Sequence, residues 1–116
     1  MKKNILTLAA LQAIATANAD GFTVNKTTGA AITAGFAVAV ADTQNSFGAD
    51  GAASVLDYVA NNDGVQAVGG WYNNENGKYY YDAVIICDDL ETAKRLGREN
   101  KQIAVFDLDN LEEIKL

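Results

Sequence analysis

Neither histidine nor proline occurs in this chain of 116 residues, and it has a single cysteine. Without histidine, Ser-His-Asp triads, Cys-His dyads and His-ligated zinc sites are excluded. The lone Cys87 can form neither an internal disulfide nor a multi-cysteine metal site. It ends the apolar run Ala83-Val84-Ile85-Ile86-Cys87 and reads as a small buried hydrophobe rather than a reactive thiol. Acid–base work would fall to carboxylates, tyrosines or lysines. None of the ten glycines opens a G-x-x-x-x-G-K-[ST] loop, so no phosphate cradle of that type is present. Gly69-Gly70, ahead of Trp71 and Tyr72, suits a strand bulge or a close backbone approach. Cations are scarce as well: 9 Lys+Arg stand against 15 Asp+Glu, a formal charge of −6. That balance argues against a binder of phosphate backbones and against direct nucleic-acid binding. It suits an acidic surface that competes for another molecule's basic groove.

Hydrophobic residues make up 49% and charged residues 21%, an ordinary globular composition. A chain of this length reads as one domain, 1–116, able to bury roughly two-thirds of its unfolded surface without metal or disulfide staples. At the start, Lys2-Lys3, the run Ile5 to Leu11 and Ala17-Asn18-Ala19 imitate a secretory signal with an A-x-A cleavage site. The preferred reading of residues 1–19 is an amphipathic helix from Asn4 to Ala17. Asn4 would cap it, Ile5, Leu8, Leu11 and Ile14 would form its stripe, and Asp20-Gly21 would stop it. Gln12 interrupts the would-be signal core, and the apolar stretch is too short to span a bilayer.

Phe22-Thr23-Val24-Asn25 alternates as a strand, Lys26 to Gly29 reads as a turn, and Gly35 to Val40 as the returning strand. Residues 41–48 have no period and read as a polar loop. A helix is expected from Asp50 to Asn61, with Ala52, Val55, Leu56 and Val59 inward. Val65–Tyr72 and Lys78–Cys87 form the clearest hairpin, joined through Asn76-Gly77. Both faces of its second arm are mostly apolar, which predicts a central strand covered on both sides. Asp88 as N-cap with Glu91 in a capping box would open the last helix, buried along Leu90, Ala93 and Leu96. Strands at Gln102–Leu108 and Glu113–Leu116 complete an α-ββ-α-ββ-α-ββ order. The fold class is α+β, a mostly antiparallel sheet of five or six strands packed by three helices.

The binding candidates each have a blander role beside the functional one. Asp82, on an internal strand, must be paired, hydrogen-bonded or facing a cleft; structural partnership with Arg98, Lys94 or a backbone N–H is its ordinary account. Trp71 and Tyr72, with Tyr79, Tyr80 and Tyr81 across the hairpin, would usually be cross-strand packing, but they are also the residue types of interface anchors. Gln44, Asn45 and Ser46 could hold a ligand or a partner backbone, or simply close their own turn. Arg98, Asn100 and Gln102 follow the last helix, where capping is the plain explanation. Asp107, Asp109, Glu112 and Glu113 read as a solvated rim rather than a mimic of nucleic acid.

Several strings in order carry a resemblance: Gly21-Phe22-Thr23-Val24-Asn25, then residues 35–48, then Val68-Gly69-Gly70-Trp71-Tyr72 through Tyr79-Tyr80-Tyr81-Asp82, then Leu96-Gly97-Arg98-Glu99-Asn100 through Ala104-Val105-Phe106-Asp107-Leu108. From about residue 20 onward the chain resembles a domain carried by phages and integrated mobile elements, found alone as a small acidic protein or attached to head-morphogenesis proteins. The resemblance supplies no catalytic residues. It implies a non-catalytic accessory protein, in a genre that includes inhibitors of host defence of the anti-CRISPR type. The expectation is therefore a protein without cofactor that binds a host protein target in the cytoplasm, or a secreted one if residues 1–19 are a cleaved signal. It would not associate with membranes. A homodimer would arise if the second hairpin or the terminal strand paired edge to edge. The runner-up is a sequestering protein for a small molecule or nucleotide signal, with Trp71 or Tyr80 stacking on a ring and Gln44 to Ser46 bonding its edge. A structural module of the virion is the third.

Overall fold

The computed structural model describes residues 5–116. Asn4 as a cap lies outside the described residues. The first helix, α1, spans Leu8–Ala17 and is capped by Thr7, whose hydroxyl accepts from the Ala10 N–H at 3.1 Å. Its buried side is Leu11 and Ala15, with Ile14 beside them, while Leu8 is turned outward. The stripe differs from the expected one because Ile5 and Leu6 precede the helix. The Leu6 N–H donates to the Lys26 carbonyl, which holds that segment against the sheet instead.

The remaining elements are β1 (Phe22–Asn25), β2 (Phe36–Ala39), a 3-10 turn (Ala41–Thr43), β3 (Ser46–Phe47), α2 (Gly48–Ala60), β4 (Ala67–Asn73), β5 (Lys78–Cys87), α3 (Leu90–Glu99), β6 (Ala104–Asp107) and β7 (Glu112–Lys115). The expected α+β class and element order are present, with one further strand, β3. All seven strands join in an antiparallel sheet ordered β1-β4-β5-β2-β6-β7, with β3 also on β5. The first two strands do not form a hairpin. Asn25 Oδ1 accepts from the N–H groups of Thr27 and Thr28, closing a turn that returns only as far as the Val24–Ala31 bridge. The chain then crosses to the far side of β5. That strand is ten residues long, and two short strands, β2 and β3, share its flank.

Alternation along β5 sends Tyr79, Tyr81, Ala83, Ile85 and Cys87 to one face and Tyr80, Asp82, Val84 and Ile86 to the other. The helices pack on the first face. Leu11 and Ala15 of α1 and Ala52, Val55, Leu56 and Val59 of α2 join Val24, Val68, Tyr81 and Ala83 in one cluster. Ala93 of α3 joins Val38, Cys87 and Val105 in a second. The sheet is therefore helix-covered on one side only, which corrects the expectation for β5. The apolar character of both faces misled because Tyr80 and Ile86 are only half-buried.

One cap and one acidic residue also differ from expectation. Asp89, not Asp88, caps α3, because Thr92 returns two bonds to its carboxylate, from N–H at 2.8 Å and from Oγ1 at 2.9 Å. These bonds hold the Asp89 carboxyl below the usual range. Asp107 is buried rather than part of a rim: it accepts from Asp109 N–H and from both the N–H and the side-chain amide of Asn110, which lowers its pKa. Asp109 in turn accepts from the Gly35 N–H at 3.0 Å. The second hairpin lies inside the sheet, β4 flanked by β1 at residues 67–70 and β5 by β2 and β3, while β7 keeps one open side. Among the described residues no helix is long and apolar enough to cross a membrane.

Candidate functional site

The helix-free face carries an aromatic group built by cross-strand register. Trp71 pairs with Tyr80 across β4–β5, and Phe47 pairs with Tyr80 across β3–β5. The indole stacks on the Tyr80 ring at 5.0 Å with an 18° interplanar angle, and the Phe47 ring lies 5.5 Å from Tyr80 on the other side. Lys78 Nζ sits 4.1 Å above the Phe47 ring, and Asn76 donates to the Tyr80 hydroxyl at 2.8 Å. Trp71 is 45% exposed and Phe47 is 42% exposed. Rings of this size in a sheet normally face the core; here they face solvent.

Beside them is a cavity of about 260 Å³, lined by Ala39, Gln44, Asn45, Trp71, Asn73, Tyr80, Asp82 and Gln102. Residues 41–48, expected to be a polar loop without periodicity, are firmly held and contribute Gln44 and Asn45 to its lining. Thr43 is buried; its hydroxyl accepts from the Ala83 N–H at 3.0 Å and donates to the Val40 carbonyl at 3.2 Å. Asn45 adopts φ 65°, a left-handed conformation that asparagine tolerates better than most residues, and there the chain turns into β3. Asn100 at the end of α3 accepts from the Ala41 N–H at 3.0 Å while its amide donates to Leu96. That tie brings Gln102 to the same rim.

Asp82 is the only carboxylate in the lining. Among the described residues it takes no hydrogen bond and no ion pair, and neither Arg98 nor Lys94 reaches it. Removal from water pushes its carboxyl up to about 6. Leaving a carboxylate there without a partner works against the fold, because the charged form loses hydration and gains nothing in return.

Of the residues singled out from sequence, Gln44, Asn45, Trp71, Tyr80, Asp82 and Gln102 meet at this cavity. The others do not. Ser46 pairs with Tyr81 and donates its hydroxyl to the Thr43 carbonyl, closing its own turn. Tyr72 lies on the opposite face beside Tyr79, and Arg98 is exposed on α3. Phe47 and Asn73 went unassigned to the site. Asn73 was readable as the next same-face position after Trp71; Gln102 was weighed with Arg98 and Asn100 after the last helix, and the Asn100–Ala41 contact is what places it at the cavity. No group of three or more metal-ligating side chains occurs among the described residues. No family model, no curated protein and no solved structure matches the chain.

Proposed function

We propose that the chain is a non-catalytic accessory protein of phage or mobile-element type that binds a host protein, such as a component of a defence complex, through its helix-free sheet face. The exposed stack of Trp71, Tyr80 and Phe47 is the observation that carries this reading. Trp and Tyr are the residues that most often anchor protein interfaces, and register holds these two ready before a partner arrives. The charge of −6 would steer the protein toward a basic surface. The cavity lining offers one carboxylate with no second acid and no activated nucleophile beside it, which suits contact better than turnover.

The cavity itself favours a second reading, a binder of small molecules. At about 260 Å³ it lies below the roughly 300–1,000 Å³ of pockets that enclose drug-sized ligands, so it fits a side chain or a fragment better than a whole nucleotide. Affinity capture from host lysate with protein and metabolite readout separates the two. The expected result is a protein retained by the native chain and lost with Trp71→Ala at unchanged melting temperature. Recovery of a nucleotide-like compound alone overturns the first reading.

A further inference from the structure

We propose that the Asp82 cavity is a receptor for the guanidinium group of an arginine side chain presented by the partner protein. The inference rests on the reading of the helix-free face as a binding surface and names what enters the cavity on that face. No lysine or arginine lines the cavity that holds Asp82, and Lys78, on the same face of β5, is placed over the Phe47 ring. An anionic ligand would be repelled, and a neutral donor could hydrogen-bond the carboxylate, as N–H groups do at Asp89 and Asp107, but would leave its charge unneutralised. A cation removes that penalty, because a partly desolvated carboxylate gains most from a charged hydrogen-bond donor.

The remaining walls select the kind of cation. Gln44, Asn45 and Gln102 are neutral amides whose carbonyl oxygens can accept further N–H groups. Guanidinium carries five such donors in one plane, whereas ammonium has three and holds its water more tightly. Trp71 and Tyr80 add aromatic surface to the lining, and a planar, weakly hydrated cation packs against such rings better than a tetrahedral one. The volume suits one side-chain head better than a whole nucleotide.

The chain reports on its own site, since Trp71 is its only tryptophan. The intact protein is titrated with N-acetyl-arginine amide, its neutral isostere N-acetyl-citrulline amide, N-acetyl-lysine amide, free arginine and adenosine, following indole emission. The arginine amide is expected to saturate, with the citrulline and lysine amides weaker by about tenfold or more. Asp82→Asn is expected to weaken the arginine amide about tenfold or more without lowering the melting temperature, a loss that a folding defect would not mimic. Equal binding of citrulline amide, or binding unchanged by Asp82→Asn, overturns the assignment. Adenosine binding where arginine amide is silent does the same. Free arginine binding tenfold tighter than the capped form overturns the partner-protein source in favour of the free amino acid. A captured host protein that depends on Trp71 but is indifferent to Asp82→Asn overturns the guanidinium receptor while the binding face stands.

Discussion

Gly69 stands directly opposite Asp82 across the β4–β5 ladder. The carboxylate therefore has no side chain facing it from β4, and the neighbouring pairs on that face, Ala67–Val84 and Trp71–Tyr80, close around the gap. A β-branched residue at 82 would suit a strand better than an acid. A sheet that keeps an unpaired acid at such a place is giving up stability for something else, which is the usual mark of a functional position.

That trade is measurable. The Asp82 carboxyl is raised from 3.8 to about 6 in the folded protein, so its stabilising, protonated form is fully present below the unfolded value and is lost as pH rises through about 6. Asp82→Asn removes the charge. It is expected to be more stable than the native chain by about 1–2 kcal/mol at pH 8, a figure discounted for partial solvent contact, with the difference vanishing below about pH 4. Urea melts of both proteins at several pH values check it, and a destabilised Asn variant at pH 8 would contradict the unpaired-charge account.

Trp71 and Tyr81 separate anchor from core. Tyr81 is buried among α2 and the helix-side strands, whereas Trp71 rests on Tyr80 in the open. Tyr81→Ala is expected to cost about 3–5 kcal/mol, as other large-to-small core changes do. Trp71→Ala should cost only about 1 kcal/mol, mainly the lost ring pair. Equal losses in denaturant titrations would make Trp71 a core residue and remove the case for an interface.

Gly51 lets α2 rest against β3. A methyl group there would fall 2.5 Å from the Ser46 carbonyl carbon, and backbone cannot step aside as a side chain can. Gly51→Ala is expected to destabilise by about 1–3 kcal/mol despite the better helix propensity of alanine. Because β3 carries Phe47, the same variant should also shift the aromatic near-UV circular dichroism.

Lys26 ties the end of α2 to β1. Its ammonium donates to the Val59 carbonyl at 3.0 Å and to the Asn62 carbonyl at 3.2 Å, where the helix leaves carbonyls unpaired. Lys26→Met keeps the stem and loses both bonds, for an expected cost of about 1–2 kcal/mol in chemical denaturation. A neutral outcome would mean that water replaces the ammonium at no loss.

Local pattern was enough to read α2, whose inward residues Ala52, Val55, Leu56 and Val59 all reach the core, and the β4–β5 hairpin with its two faces. Helical and strand periods are short-range properties, so four to ten residues carry them. It also nominated six of the cavity's residues, because a carboxylate and clustered aromatics on a strand, and uncharged amides in a loop, are noticeable wherever they fall. Tertiary structure alone decided that no helix lies over Asp82, that residues 41–48 are stitched down by Thr43, and that Gln102 completes the rim. Those outcomes depend on which distant segments pack together, and alternation along a strand specifies its two faces without specifying what covers either of them.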